Sequence, residues 1–158
     1  MKLTKENIQR IHDFAKHCIK ELGIKRKVKI TLSKHQTGMP TAGYFNPHDC
    51  TIFVAVHNRA IADVMRTLAH ELTHCKQQQD GVEFPHDDEG LQPLEDAANV
   101  SSGKLVRFYG RKHREIYSDL IAEGLQRFLY NPPKPSRPVN QILFNLWNAL
   151  VEPRFCNV

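Results

Sequence analysis

The stretch Leu68-Ala69-His70-Glu71-Leu72-Thr73-His74-Cys75 constrains this chain more than any other. It is an H-E-x-x-H pattern inside a strong helical periodicity. Helix positions four apart share a face, one turn above the other. His70 and His74 can therefore aim two imidazoles at one metal ion, with Glu71 beside them. Two nitrogen donors and a carboxylate able to take a proton from water suit zinc-assisted hydrolysis. The surrounding residues strengthen the reading. Ile61, Val64, Met65, Leu68, Leu72 and Cys75 recur at helical spacing. At about 100° per residue they gather on one face, with His70 and His74 roughly opposite and Glu71 on the edge. One stripe anchors the helix and the other presents ligands. The plain alternative is a pair of surface histidines on an amphipathic helix.

Length and composition bound the rest. With 158 residues, 41% hydrophobic and 25% charged, the chain is expected to be one globular domain (1–158) with a real core. No apolar run approaches a membrane span. The opening Met1-Lys2-Leu3-Thr4-Lys5-Glu6-Asn7 lacks the apolar stretch of a secretion signal, so a cytoplasmic location is expected. Cys18, Cys50, Cys75 and Cys156 are scattered without C-x-x-C and read as free thiols. The net charge of +5 admits a nucleic-acid or acidic protein partner, or simply a lysine-rich surface.

The pattern along the chain is α+β. Thr4 suits an N-cap, Ile8, Ile11, Ala15, Cys18, Ile19 and Leu22 form an apolar stripe, and Gly23 can end this first helix. Residues 27–33 alternate as a half-buried strand. Ala42–Phe45 and Cys50–Val56 flank the turn signal Asn46-Pro47-His48-Asp49 and are expected to pair as a hairpin, the second strand more buried. Asn58 can cap the H-E-x-x-H helix, which Asp80-Gly81 stops near Gln79. Residues 82–91 read as a loop. Pro93 suits the first turn of another helix. That helix contains Glu95-Asp96-Ala97-Ala98-Asn99-Val100-Ser101-Ser102-Gly103, small residues that permit close approach to a neighbour. A basic stretch follows, with Lys104, Arg107, Arg111, Lys112 and Arg114 around Phe108 and Tyr109; such runs are usually solvated faces. Ile116, Leu120, Ile121, Leu125, Phe128 and Leu129 mark a further helix, 131–138 a proline-rich linker, and Ile142 to Leu150 a final short helix.

A catalytic zinc normally has three protein ligands. A third histidine in an extended H-E-x-x-H-x-x-G-x-x-H is closed off, because Gln77 and Asp80 occupy those positions. His86 lies in the following loop. Asp87, Asp88 and Glu89 also lie there, although their cluster reads more simply as a solvated acidic turn. Glu95 sits on the small-residue helix. A helix holds a carboxylate more rigidly than a loop holds an imidazole, which favours Glu95 and leaves His86 as the alternative. Asn99, at i+4 from Glu95, can support a ligand from behind. Tyr109, His113 and Tyr117 are candidates for a second electrophile.

From Ala42 to Gly103 the chain resembles the small gluzincin-type zinc metallopeptidases of phages and bacteria, including the ImmA/IrrE-type enzymes. The resemblance rests on Gly43-Tyr44, the run Thr51–Val56, His70-Glu71 with His74, and Glu95-x-x-Ala98-Asn99. It implies a minimal zincin-like domain: an N-terminal helix, a small antiparallel or mixed sheet, the H-E-x-x-H helix, a third-ligand helix and further C-terminal helices. It implies one zinc ion per chain on His70, His74 and Glu95, with Glu71 as general base. It also implies a groove along the edge strand for an extended peptide. The expected partner is thus a peptide or protein substrate, with no membrane. Two other classes stay open. One is a basic nucleic-acid-associated protein, or a peptidase acting on DNA-bound proteins as SprT-like proteases do. The other is a non-catalytic zinc-site protein, which four closing ligands rich in cysteine would normally mark.

Overall fold

The computed structural model describes residues 3–34, 41–85 and 87–118. The chain divides into two compact units, Met1–Tyr117 and Ser118–Val158, and the elements below belong to the first. The fold is α+β. No helix among the described residues is long and apolar enough to cross a membrane.

Helix α1 spans Lys5–Leu22. The Thr4 hydroxyl accepts from the Asn7 N–H at 3.2 Å, which satisfies one of the free donors of the first turn. Gly23 ends the helix at φ +66°, a left-handed conformation glycine adopts without a Cβ penalty. The stripe buries Ile11, Phe14, Ala15 and Cys18, whereas Ile8, expected inside, is 44% exposed.

Strands β1 (Lys29–Ser33), β2 (Gly43–Asn46) and β3 (Thr51–Ala55) form one mixed sheet in the order β1-β3-β2. β2 and β3 are the expected hairpin, antiparallel with Tyr44 opposite Phe53. Its turn is held by short polar side chains: Asn46 Oδ1 accepts from His48 N–H and Asp49 Oδ1 from Thr51 N–H. β1 runs parallel to β3, which makes β3 the central strand. Both faces of β3 are consequently covered in part, and Ile52 and Val54 are fully buried.

Helix α2 spans Ile61–Gln79 and is the hub of the core, packing against α1, β2, β3 and the next helix. Its start differs from the reading of Asn58 as a cap. Ala60 holds the N-cap position without a side-chain bond, and Asn58 lies just before it at φ +51°. Arg59 does the tying instead. Its guanidinium donates to the Ala55 carbonyl at 2.8 Å, the Asp63 carbonyl at 3.0 Å and the Thr67 hydroxyl at 2.6 Å. That fork joins the end of β3 to the first two turns of α2.

Helix α3 spans Asp88–Lys112 and starts five residues upstream of Pro93. Asp87 is its N-cap, accepting from Gly90 N–H at 2.7 Å. Asp88 and Glu89, read as part of a solvated acidic turn, stand in the first helical turn, where negative charge complements the helix dipole. Pro93 falls in the second turn, so the Glu89 carbonyl lacks its usual donor. A 3-10 turn, Arg114–Tyr117, follows. The helix expected from Ile116 onward thus begins as a 3-10 turn; its remainder, the 131–138 linker, the final helix, Cys156 and His86 lie outside the described residues. Cys18, Cys50 and Cys75 are free and buried.

The core gathers Phe14, Ile52, Val54, Ile61, Met65, Leu68, Leu72 and Ile116 around α2. Leu68 is fully buried at its centre. Leu68→Ala is expected to cost about 2–5 kcal/mol, as large-to-small changes in close-packed cores do. Urea unfolding checks this, through a lower midpoint at unchanged slope.

Candidate metal centre

The second half of α2 is buried on more than one face. Leu68, Leu72 and Cys75 point into the core. Ala69, Glu71, Thr73 and His74 are buried as well, and α3 packs against this helix. Small side chains permit that approach. Ala98 and Ser102 of α3 are fully buried, and the Thr73 hydroxyl lies 3.1 Å from that of Ser101. The hydrophobic and ligand stripes of α2 are therefore both packed surfaces, one against the core and one against a second helix.

That contact brings Glu95 to the two histidines. The carboxylate places one oxygen 3.1 Å from His70 Nε2 and the other 3.2 Å from His74 Nε2. The two Nε2 atoms are 3.0 Å apart. Ligand atoms of a tetrahedral zinc, with bonds of about 2.0–2.1 Å, stand about 3.3 Å from one another. The three observed separations are close to that, so His70, His74 and Glu95 form a group that could hold a metal ion.

The groups behind the ligands fit the same use. His74 Nδ1 lies 2.8 Å from Gln77 Oε1, an acceptor, so the ring proton belongs on Nδ1 and the Nε2 lone pair faces Glu95 and His70. The Gln77 amide in turn donates to the Leu94 carbonyl at 3.1 Å, linking His74 to the turn that carries Glu95. Asn99, one turn on from Glu95, hydrogen-bonds His70. Orienting partners of this kind set the tautomer and direction of ligand imidazoles. Burial, and then the facing His74, hold the His70 imidazole below its ordinary value against the opposing pull of Glu95 and Asn99.

Glu71 stands beside the triangle. It is 8% exposed, and its carboxylate makes no hydrogen bond or ion pair among the described residues. Burial, reinforced by the charge of Glu95, pushes it up to about 7. Strand β2 presses against it. A Cβ on Gly43 would run into the Thr67 methyl and stand 2.8 Å from Glu71 Oε1. Only glycine permits the strand to come this close.

The centre opens into a cleft of about 760 Å³. Its walls are Gly43, Tyr44 and Phe45 of β2, the Arg66–His70–His74 side of α2, and Leu91, Glu95 and Asn99 of α3. Phe84, in the segment between the helices, closes the His74 end, its ring 5.9 Å from that imidazole. Tyr109, His113 and Tyr117, considered as electrophiles, are not among the cleft residues. Tyr109 packs edge-on against Phe14 and stacks on His113, and the Tyr117 hydroxyl donates to the Val106 carbonyl. Lys104, Arg107, Arg111 and Lys112 are exposed and line no part of the cleft. Gln77 escaped the sequence reading, where it counted only as the missing glycine position of the extended motif. Its signal was its place three residues after His74 on the same helix face.

No family model, curated protein or solved structure matches this chain.

Two outcomes follow from this geometry. Gln77→Ala is expected to weaken metal binding about 10–100-fold, the usual effect of removing a partner that orients a ligand, without unfolding the protein. Competition against a zinc-responsive chelating dye measures this. Gly43→Ala is expected to destabilise by about 1–3 kcal/mol through overpacking against Thr67 and Glu71, read as a lowered unfolding midpoint.

Proposed function

We propose that this chain is a zinc-dependent metallopeptidase, with His70, His74 and Glu95 as ligands and Glu71 as general base. The observation that carries the proposal is a buried, unpartnered Glu71 carboxylate at the edge of a three-donor cluster inside an open cleft. Buried polar groups are nearly always hydrogen-bonded, and an exception asks for a reason. A purely structural site gives none, since it gains nothing from a carboxylate left unpaired beside the ligands.

Zinc bound there would supply a Lewis acid and lower the pKa of water toward neutrality. The rest falls to the chain. Glu71 accepts the proton of the attacking water and returns it to the leaving amine. Low surrounding polarity and the nearby Glu95 charge tune it toward neutral pH, where an acid–base group is most useful. Gln77 and Asn99 hold the two imidazoles in place. Among the described residues β2 is an edge strand of the sheet, and it lines the cleft beside Glu71. An extended peptide can add to such an edge through main-chain hydrogen bonds, which brings a backbone carbonyl past the metal ligands. This supports a peptide over other hydrolysable substrates. Phe84 and Leu91 give the far end an apolar lining suited to an aliphatic or aromatic side chain.

The purified protein is expected to carry about one zinc per chain by elemental analysis. Glu95→Ala is expected to lose most of it. Glu71→Gln is expected to keep the zinc while hydrolysis of a denatured protein substrate falls at least about 100-fold. Stoichiometric metal with no cleavage by the wild type beyond that of Glu71→Gln would mean a non-catalytic site.

A further inference from the structure

Arg66 lies about one helical turn before His70, at i and i+4, and both line the cleft. The rise between them is about 6 Å. Three other charged side chains in that lining need comparison. Glu95 is committed to the two histidines. Glu71 is buried beside them. Asp63 is ion-paired with Arg59 at 3.6 Å. Arg59, itself not a cleft residue, is engaged by the Ala55 and Asp63 carbonyls and the Thr67 hydroxyl. Arg66 is different: it is exposed, and it makes no hydrogen bond or ion pair among the described residues. Histidines aside, it is the one cationic side chain among the described residues of the cleft wall.

We infer that Arg66 is a specificity-determining residue that takes a carboxylate of the bound ligand. The inference rests on the metallopeptidase reading only in taking that ligand to be a peptide. Three points on the cleft carry it. A guanidinium presents a planar fork of donors that matches a carboxylate with two parallel hydrogen bonds. The neighbouring acid that would otherwise neutralise it, Asp63, already has Arg59. The opposite end of the cleft is apolar at Phe84 and Leu91, so charge recognition is confined to the Arg66 end. A ligand crossing the ligand triangle would thus set an apolar group against Phe84 and an acidic group against Arg66. The acidic group is either an aspartate or glutamate side chain or the free carboxylate at a chain end; the chemistry is the same, and the two sources separate by experiment.

The test uses two readouts on the full chain loaded with zinc, for the wild type, Arg66→Gln and Arg66→Glu. Arg66 is exposed, so circular dichroism is expected to show both variants folded. In the first readout, short peptidyl hydroxamates are titrated by calorimetry in matched pairs. One pair differs by glutamate against glutamine next to the hydroxamate; the other differs by a free terminal carboxylate against its amide. The acidic member of one pair is expected to bind the wild type about tenfold tighter, in keeping with a charge-assisted, partly exposed contact. Arg66→Gln is expected to erase that ratio and Arg66→Glu to invert it. Whichever pair shows the ratio identifies the source of the carboxylate. Equal ratios in wild type and Arg66→Gln, in both pairs, would overturn the inference.

The second readout is cleavage of a peptide mixture, with sites located by mass spectrometry and Glu71→Gln as the blank. Acidic residues or chain ends are expected at one fixed position from the cut, lost in Arg66→Gln. If no peptide is cut while the hydroxamate ratio depends on Arg66, the peptidase reading falls and the carboxylate site stands. If peptides are cut with the same pattern in wild type and Arg66→Gln, the peptidase reading stands and the carboxylate site falls.

Discussion

Everything at the candidate centre depends on how closely α2 and α3 can pack. The two histidines come from one helix and the carboxylate from another, and the three donors meet within about 3 Å of one another. Helices bearing bulky side chains at their contact pack 8–10 Å apart, with the spread set by side-chain size. Here Thr73 and Ser101 meet across the contact, and the small Ala69, Ala98 and Ser102 nearby on the same two helices are buried. A larger residue at Ala98 or Ser102, both fully buried, would push Glu95 away from the imidazoles before it touched the ligands themselves. The small-residue stretch is thus part of the site, although none of those five residues is a ligand.

The same closeness creates an electrostatic problem. Two imidazole nitrogens face each other, and two carboxylates, Glu71 and Glu95, lie in one partly buried space. Burial makes each uncompensated charge costly, and the like charges of the two acids raise the protonation affinity of Glu71. A cation held by the donor triangle would relieve the first conflict and leave Glu71, which is not one of the three donors, as the remaining titratable group. Gln77 and Asn99 contribute by fixing which imidazole atoms face inward.

Much of the local structure was legible because it depends on neighbours in the chain. The α1 caps at Thr4 and Gly23, the hairpin across Asn46–Asp49 and the helix carrying His70 and His74 follow from short-range hydrogen bonding and periodicity. The errors have the same origin. Asn58 is a good capping residue by type, but the fork of Arg59 to three acceptors decides where α2 begins. Pro93 suits a first turn, yet Asp87 caps the helix earlier, and the first-turn acids stabilise the added turn. Tyr109, His113 and Tyr117 follow the ligand helix in sequence, but the turn of α3 carries Tyr109 toward α1 instead of the cleft.

By itself the sequence determined the α+β class, the facing of two imidazoles on one helix and the nearness of Glu71, since a helix of 3.6 residues per turn settles all of these within a few residues. Only the tertiary structure decided that β1 runs parallel beside β3 and that Gly43 lies against Glu71. It also brought Glu95 to the two histidines across twenty-one residues of chain, and turned Gln77 from an empty position into a link between His74 and Leu94. Contacts between distant segments depend on side-chain volumes at a shared interface, and no local spacing records which surface will meet which.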